Sequence, residues 1–439
     1  MRKILLAAAA LITAGTTCVR AEGYQVNTLS AKQNGMGHTG VAMHLGAESM
    51  IFNPAGMGFM DNTIDAAASV TGIFATAKAT HEGVTYETDN DPATPMSVNL
   101  GMSINKRVKV GLSFYTPYGS SINWGINWPG AVLNQKVKLT AYTIQPTVAW
   151  RPIDNLSFGA GLMFTWGQVD LNKGLVSTDS FNALMAAMQL PVTMTDTPAS
   201  VNLNGKATPV VGFNIGAMWD INRQWTLGAS VRTKMKMHVK SGVASVSYAN
   251  ETARTILESR LNLINNANFE ASMPAAAIYN IGVSYRPTKR WIVALDLQMT
   301  GWDAYKELNV DFKSDQLAEY DQHLTKNYHN SMTYHIGAQY SATKRFDVRA
   351  GLIVDTTPVD KNFYNPETPG MTKIEPSVGL SFRPAKNFSI DASLLYVAGL
   401  GEDNASCPYP DFLTGRERSF VADYKVQAWN PSIGVSFNF

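Results

Sequence analysis

Stretch after stretch of this chain has an apolar side chain at every second residue. In residues 290–300, Trp291, Val293, Leu295, Leu297 and Met299 fall on one face, with Ile292, Ala294, Asp296, Gln298 and Thr300 opposite. The beat recurs at Val211/Phe213/Ile215/Ala217/Trp219, at Phe346/Val348/Ala350/Leu352/Val354, at Phe388/Ile390/Ala392/Leu394/Tyr396 and at Ile433/Val435/Phe437/Phe439. Successive side chains of a strand point to opposite sides, so these are strands with one apolar face. No later segment offers the 18 or so apolar residues that a spanning helix needs.

Between the strands, short turns repeat one spelling: "WRPIDNLSF" at 150, "WDINRQWTL" at 219, "YRPTKRWIV" at 285, "YSATKRFDV" at 340 and "FRPAKNFSI" at 382. Each places an aromatic residue before a polar turn and a large apolar or aromatic residue after it. Amphipathic rings settle at headgroup level, so aromatics at both strand ends are what a membrane interface selects. A soluble β-protein can flank one turn this way, but five in register point to a membrane.

The pattern predicts strands near 64–78, 94–105, 108–123, 131–151, 156–171, 201–220, 225–246, 269–286, 291–312, 322–341, 346–357, 373–383, 388–398 and 423–439. That is an all-β, 14-stranded antiparallel transmembrane β-barrel, with brief connections after even strands and long ones after odd strands. Short turns face the periplasm in such barrels, and an even count puts both chain ends there. Closure removes the unpaired strand edge that lipid cannot hydrate. A secreted β-sandwich is the soluble alternative, and it would have to cover its edges and its apolar faces.

The N-terminus reads as an address. Arg2 and Lys3 precede an apolar stretch from Ile4 to Gly15, and Val19-Arg20-Ala21 supplies small residues for cleavage, giving a signal peptide over 1–21. A lipoprotein signal at Cys18 would need a better lipobox than this one. Removing 1–21 takes away Arg2, Lys3 and Arg20 and no acid, so 36 basic residues become 33 against 34 acids. Such a balance leaves no nucleic-acid footprint. Cys407 is then alone, expected in a solvated loop and unable to form an intramolecular disulfide.

A barrel this wide needs something in its lumen. Residues 22–60, rich in Gly, Ala and Met, precede the first strand and suit an N-terminal hatch or plug, followed by the barrel over 61–439. Inside the hatch, "SMIFNPAGMGFM" holds Asn53-Pro54, which ends a short helical or irregular piece because Pro54 lacks an N–H. Two outer loops have helical periodicity, near 178–190 (Phe181, Leu184, Met185, Met188) and near 251–264 (Ala253, Ile256, Leu257, Leu261, Ile264).

These pieces together resemble the FadL/TodX family of outer-membrane transporters for long-chain fatty acids and other hydrophobic compounds. The run "GYQVNTLSAKQNGMGHTGVAMHLGAESMIFNPAGMGFM" resembles the family hatch, with Asn53, Pro54 and Ala55 at its Asn-Pro-Ala signature. "VDTTPVDKN" at 354 resembles an Asp-x-Ser-Pro-Val segment, with Thr357 in place of Ser. "YTPYGSSINW" at 115 resembles the region where the family's third strand kinks to open the wall, with Gly119 at the kink. The resemblance implies first capture in an apolar groove of the outer loops, involving Phe181 and Met185, and an N-terminal aromatic near the ligand, here Tyr24. Packing of the two loop helices onto each other as a cap is an equally good reading of that periodicity.

Gly119 beside Pro117 suits a bulge. With each CH₂ worth about 0.8 kcal/mol on leaving water, sideways exit into the bilayer is the favourable route for an apolar solute. A carboxylate head needs cations, and alternation through Val231, Thr233, Met235 and Met237 would turn Arg232, Lys234, Lys236 and His238 inward; Arg349 also faces in. The competing reading pairs these cations with lumen acids such as Asp296, Asp347 and Asp355. His38 and His44 have no Cys or acid at ligand spacing, so neither metal nor cofactor is expected.

Expected partners are a hydrophobic small molecule, outer-membrane lipid and lipopolysaccharide, and the barrel assembly machinery reading the terminal Phe439, with the protein a monomer. Other readings remain: a transporter of aromatic hydrocarbons, an adhesin or receptor barrel, or a general porin. An enzyme would be unusual here, since neither G-x-S-x-G nor H-E-x-x-H occurs.

Overall fold

The computed structural model describes residues 23–261 and 263–439. The expected signal peptide, with Cys18, lies outside the described residues. Among those described, fourteen antiparallel strands close into a barrel. β1 is Ile64–Thr71 continued by Phe74–His81, β2 is Val84–Glu87 continued by Met96–Ser103, β3 is Val108–Asn123 and β4 is Lys136–Ile153. β5 (Leu156–Val176), β6 (Ala199–Asp220) and β7 (Trp225–Arg232 with Met235–Tyr248) follow. β8 is Ala267–Ala275 with Ile278–Thr288, β9 is Trp291–Thr300 with Glu307–Phe312, and β10 is Gln322–Thr325 with Ser331–Ser341. β11 (Phe346–Asp355), β12 (Lys373–Ala385), β13 (Phe388–Gly399 with Glu402–Asp411) and β14 (Arg416–Asn438) complete the wall.

Each strand pairs with its sequence neighbours, and β14 returns to β1 from Asp65 opposite Asn438 to Thr71 opposite Ser432. Phe439 finishes the seam, its N–H donating to the Ile64 carbonyl at 2.8 Å and its carbonyl accepting from Thr63 N at 2.6 Å. The first and last strands of the sheet thus cover each other's edges, as lipid requires.

The outward face is apolar and uncovered: Ile281 is 60% exposed, Val378 58% and Leu380 57%. A surface of that kind requires hydrocarbon as its solvent. No helix among the described residues is long and apolar enough to cross a membrane, so the crossing is made by strands. Aromatic pairs ring the short-turn end, with Trp225 on Tyr285 at 4.3 Å, Trp291 on Tyr340 at 4.8 Å and Phe346 on Phe382 at 4.9 Å between centroids. Toward the other end Tyr142 lies 6.0 Å from both Phe114 and Trp166. Two girdles bound one apolar band.

Two expectations are corrected here. β7 is interrupted at Thr233-Lys234, where the Thr233 hydroxyl accepts from Phe213 N at 2.8 Å instead of continuing the ladder. The break resets the alternation: Met235, Met237 and Val239 are buried inside, while Lys234 and Lys236 are exposed outside. Second, the stretch after residue 398 is a ladder rather than a long loop, from Glu402 opposite Tyr424 to Asp411 opposite Arg416. A register shift between Glu402 and Ala405, with Gly401 at φ 93° and Asn404 at φ 52°, hides the period from a linear reading. Cys407 falls on this ladder and is buried rather than solvated, 7% exposed.

Candidate functional site

Residues 23–63 are largely irregular backbone enclosed by the wall, and such backbone needs partners for every N–H and C=O. Inward polar side chains supply them from around the barrel. Asp296 of β9 accepts from Gly40 N at 2.6 Å and Val41 N at 2.9 Å. Gln145 of β4 and Asn214 of β6 both donate to the Met50 carbonyl, at 2.9 and 3.0 Å. Ser284 of β8 donates to Ala42 O at 2.7 Å, and Ser97 of β2 to Leu29 O at 2.6 Å.

The Asn-Pro-Ala stretch is one of these docking points. Asn53 is extended (φ −148°, ψ 107°), fully buried, and begins the 3-10 helix Pro54–Phe59. Its Oδ1 accepts from Ala55 N at 3.1 Å, while its Nδ2 donates to Val41 O at 2.8 Å and to Ala217 O of β6 at 3.0 Å. Pro54 suits the first helical position, where no N–H is needed. It packs so closely on β5 that a Cβ at Gly159 would sit 2.3 Å from its carbonyl carbon.

At β3 the wall changes character. The β2–β3 ladder stops at Ser97 opposite Tyr115. The β3–β4 register then shifts between Tyr115 and Tyr118, where Pro117 has no N–H to donate. The irregularity thus lies at Thr116-Pro117, just before Gly119, which has resumed pairing opposite Thr140. Since β4 holds one edge of β3 here, the edge β2 vacates is taken by the N-terminus: Val26 N donates to Pro117 O at 2.9 Å and Gly119 N to Tyr24 O at 3.0 Å. A Cβ on Gly119 would stand 3.4 Å from Leu139 O and 3.6 Å from the Val26 side chain.

Tyr24 sits in an aromatic cage. Its ring meets Trp302 at 4.9 Å, Tyr305 at 5.9 Å and Tyr118 at 6.1 Å, all edge-on, and its hydroxyl donates to the Pro274 carbonyl. Burial, and then the neighbouring phenols of Tyr305, Tyr118 and Tyr328, hold that hydroxyl protonated, well above the usual tyrosine range.

Tyr305 also borders an apolar cavity of about 100 Å³, lined by Leu139, Met237, Phe269, Met273 and Leu308 and by Ser120 beside Gly119. Glu367 lies on the rim of this cavity and binds Lys326, Nζ to Oε2, at 3.0 Å. Lys326 lines a second cavity of about 170 Å³ together with Lys173 and Cys407. Lys326 is 2% exposed and Lys173 7%, and the Lys173 ammonium donates to the Gln322 amide oxygen. Two buried cations thus face one carboxylate, next to an apolar chamber. That arrangement suits an amphiphile with a single negative head.

The cations singled out from sequence serve otherwise. Arg232 faces inward but donates to Ile51 O at 2.9 Å, bracing the N-terminal segment, and lies over the Tyr115 ring at 5.8 Å. Arg349 donates to Asp391 at 3.3 Å, to Gln339 at 2.8 Å and to Ser381 at 2.6 Å and lies 3.7 Å from Asp347, the pairing with lumen acids that was the competing expectation. Lys234 is outside the lumen altogether. Phe181 and Met185, on the helix Thr178–Ala187, are fully buried in a cluster with Ala253 and Leu257 of the helix Glu251–Glu258. Beside that cap an apolar groove is lined by Leu263, Ile264, Leu317, Tyr320 and Phe412, so Phe181 and Met185 support the groove without lining it. Lys173 and Lys326 were missed because a lysine near a strand end reads as solvated; only the fold buries them.

The model of a family described as outer membrane protein transport protein (OMPP1/FadL/TodX) matches residues 12–439. Outer membrane protein P1 of Haemophilus influenzae is 21% identical over 353 residues, 76% of this chain and 72% of its own. The long-chain fatty acid transport protein of Escherichia coli O6:H1 is 21% identical over 416 residues, 91% of each chain. Among solved structures, a Pseudomonas aeruginosa FadL homologue superposes with a TM-score of 0.80 at 19% identity, covering 95% of this chain and 100% of that one. The Pseudomonas putida toluene transporter TodX gives 0.71 at 16% identity, covering 96% and 100%. A barrel closed without an edge, banded for lipid and matched by that family model over nearly its whole length is an outer-membrane protein of Gram-negative type, and this chain belongs to the OMPP1/FadL/TodX outer-membrane transport family.

Proposed function

We propose that this protein takes up hydrophobic molecules with an anionic head, foremost long-chain fatty acids, across the outer membrane. The carrying observation is the apolar cavity of Leu139, Met237, Phe269 and Leu308 joined through Glu367 to the buried cations Lys326 and Lys173. The tail occupies the apolar chamber, and the carboxylate meets Lys173, whose ammonium donates to the neutral amide of Gln322.

In this reading the groove beside the two outer helices makes first capture. Residues 22–60 act as the hatch below the cavity, with Tyr24 and Val26 covering the stretch of β3 that β2 leaves free. Release of Tyr24–Val26 from Pro117 and Gly119 opens a sideways path between β2 and β3 into the bilayer. An apolar tail then never has to enter water, which would cost about 0.8 kcal/mol per CH₂. The alternative reading, transport of aromatic hydrocarbons, would use the chamber but gain nothing from Lys173 and Lys326.

The test is uptake of a labelled long-chain fatty acid by Gram-negative cells lacking their own transporter, with assembly of this barrel verified. Uptake above the empty vector, lost when Gly119 is made bulky, supports the route; no uptake from an assembled barrel overturns the fatty-acid reading.

A further inference from the structure

A set of lysines stands on the outward face just beyond the apolar band, on neighbouring strands. On β4 the outward series runs Trp150, Val148, Ile144, Tyr142 and Thr140 to exposed Lys138. On β5 it runs Phe164, Trp166 and Gln168 to Asp170. Register places Lys138 opposite Asp170 and Gln168 opposite Lys206 of β6. Across the next seam Val239 of β7 faces Ala207, the neighbour of Lys206; the register shifts just beyond Val239, where Lys240 follows on the outward face, with Lys236 two outward positions earlier, past His238. Lys138, Lys206, Lys236 and Lys240 are all exposed.

The acids nearby are Asp170, opposite Lys138, whose Oδ1 accepts from the neutral Asn202 amide at 2.6 Å, and Glu270, which is already engaged by Lys313 at 3.0 Å and His238 at 3.5 Å. None of the four lysines makes an ion pair or hydrogen bond within the described residues. Adjacent strands are about 4.8 Å apart, and Lys206 and Lys240 are the chain neighbours of the paired Ala207 and Val239, so this seam brings two like charges close together, an arrangement that destabilises a sheet unless an anion lies between them. The height of the patch is set by Tyr142 and Trp166, which mark the interface on the long-loop side. That side faces the outer leaflet, since short turns face the periplasm.

We infer that the outward face of β4–β7 binds the phosphate groups of an outer-leaflet phosphorylated glycolipid, the lipid A of lipopolysaccharide, through Lys206, Lys236, Lys240 and Lys138. Acyl chains of that lipid pack on Ile144, Phe164, Val211 and Phe213 below, while its phosphates sit between the ammonium groups at the girdle. The placement supplies both halves of an amphiphile's recognition, apolar contact and charge, on one continuous face. The site lies outside the lumen and does not depend on which solute the barrel carries.

The experiment is native mass spectrometry of the purified full chain in detergent, titrated with phosphorylated lipid A, with the same lipid after removal of its phosphates, and with phosphatidylglycerol. The wild type and a combined Lys206→Gln, Lys236→Gln, Lys240→Gln variant are compared, with the matching Lys→Arg variant as a charge-preserving control and heat-dependent gel mobility as the check of assembly. Support is retention of phosphorylated lipid A that falls about tenfold or more in the Gln variant, is kept by the Arg variant and is absent for the dephosphorylated lipid. Equal retention by the Gln variant overturns the inference. So does equal binding of phosphatidylglycerol by the wild type, which would make the patch a general anion attractor. If the combined variant does not assemble, Lys206→Gln and Lys240→Gln are read singly by the same criteria.

Discussion

The N–H of Gly119 in the third strand donates to the carbonyl of Tyr24 at 3.0 Å, tying the start of the described chain to a stretch of the third strand that the second strand does not cover. Local sequence at both ends produces this bond. Pro117 breaks the ladder, and the caged Tyr24 ring brings a replacement strand to the vacated edge.

Replacing Tyr24 with Ala should release that replacement strand. The ring is 1% exposed and held by Trp302, Tyr305 and Tyr118. Losing a buried aromatic costs about 3–5 kcal/mol at such a site. Hydrogen exchange should rise across residues 23–29 while the barrel keeps its heat-dependent gel mobility; unchanged protection would show that the cage does not hold the segment.

Gly119 should tolerate Ala and reject Trp. An added Cβ has ordinary contacts at 3.4 and 3.6 Å, whereas an indole must displace Val26 or fill the space between the second and third strands. Fatty-acid uptake is expected to survive Gly119→Ala and to vanish in Gly119→Trp with assembly intact. Full uptake by an assembled Trp variant would remove the sideways route.

Lys173→Gln should weaken binding of a fatty acid by about 10- to 100-fold, the worth of one buried charge-assisted bond, and leave a neutral hydrocarbon unaffected. Lys326 differs, because its removal strands Glu367, a loss of about 3–5 kcal/mol. Lys326→Met paired with Glu367→Leu should recover stability, read as thermal unfolding, without recovering carboxylate affinity. Equal losses for charged and neutral ligands in Lys173→Gln would show that the ammonium does not read the head group.

Asn53→Ala should loosen the N-terminal segment without altering the wall. Its amide serves Val41 O and Ala217 O in a fully buried position, and each stranded buried group costs about 1–3 kcal/mol. Planar-bilayer recordings should show brief openings in the variant that are rare in the wild type; identical traces would make Asn53 dispensable for closure. Arg232→Ala, which removes the bond to Ile51 O, should act in the same direction, and Lys234→Ala should change neither conductance nor binding.

The barrel was legible because lipid makes a demand that each strand meets alone. An outward face must be apolar at every second position, so Trp291 to Met299 announces its strand without reference to any other. The same rule failed at Thr233-Lys234, where an interrupted ladder shifts the phase by one residue and moves Lys234 and Lys236 from the lumen to the surface. It failed again beyond Gly399, where a bulge conceals Ala405 and Cys407 as inward residues. Arg232 and Arg349 were correctly placed inside, but what an inward cation touches depends on which strand faces it across the lumen, and that is nowhere in the local pattern.

By itself the sequence determined the strand count, the direction of the apolar face and the aromatic girdles, since these follow from period and from solvent. Tertiary structure decided the rest. Lys173 on the fifth strand and Lys326 in the interruption of the tenth are 153 positions apart in the chain. They line one cavity only because closure of the barrel carries both inward with Glu367. Burial turns such lysines from solvated surface charges into a site, and burial belongs to the closed wall rather than to any segment of it.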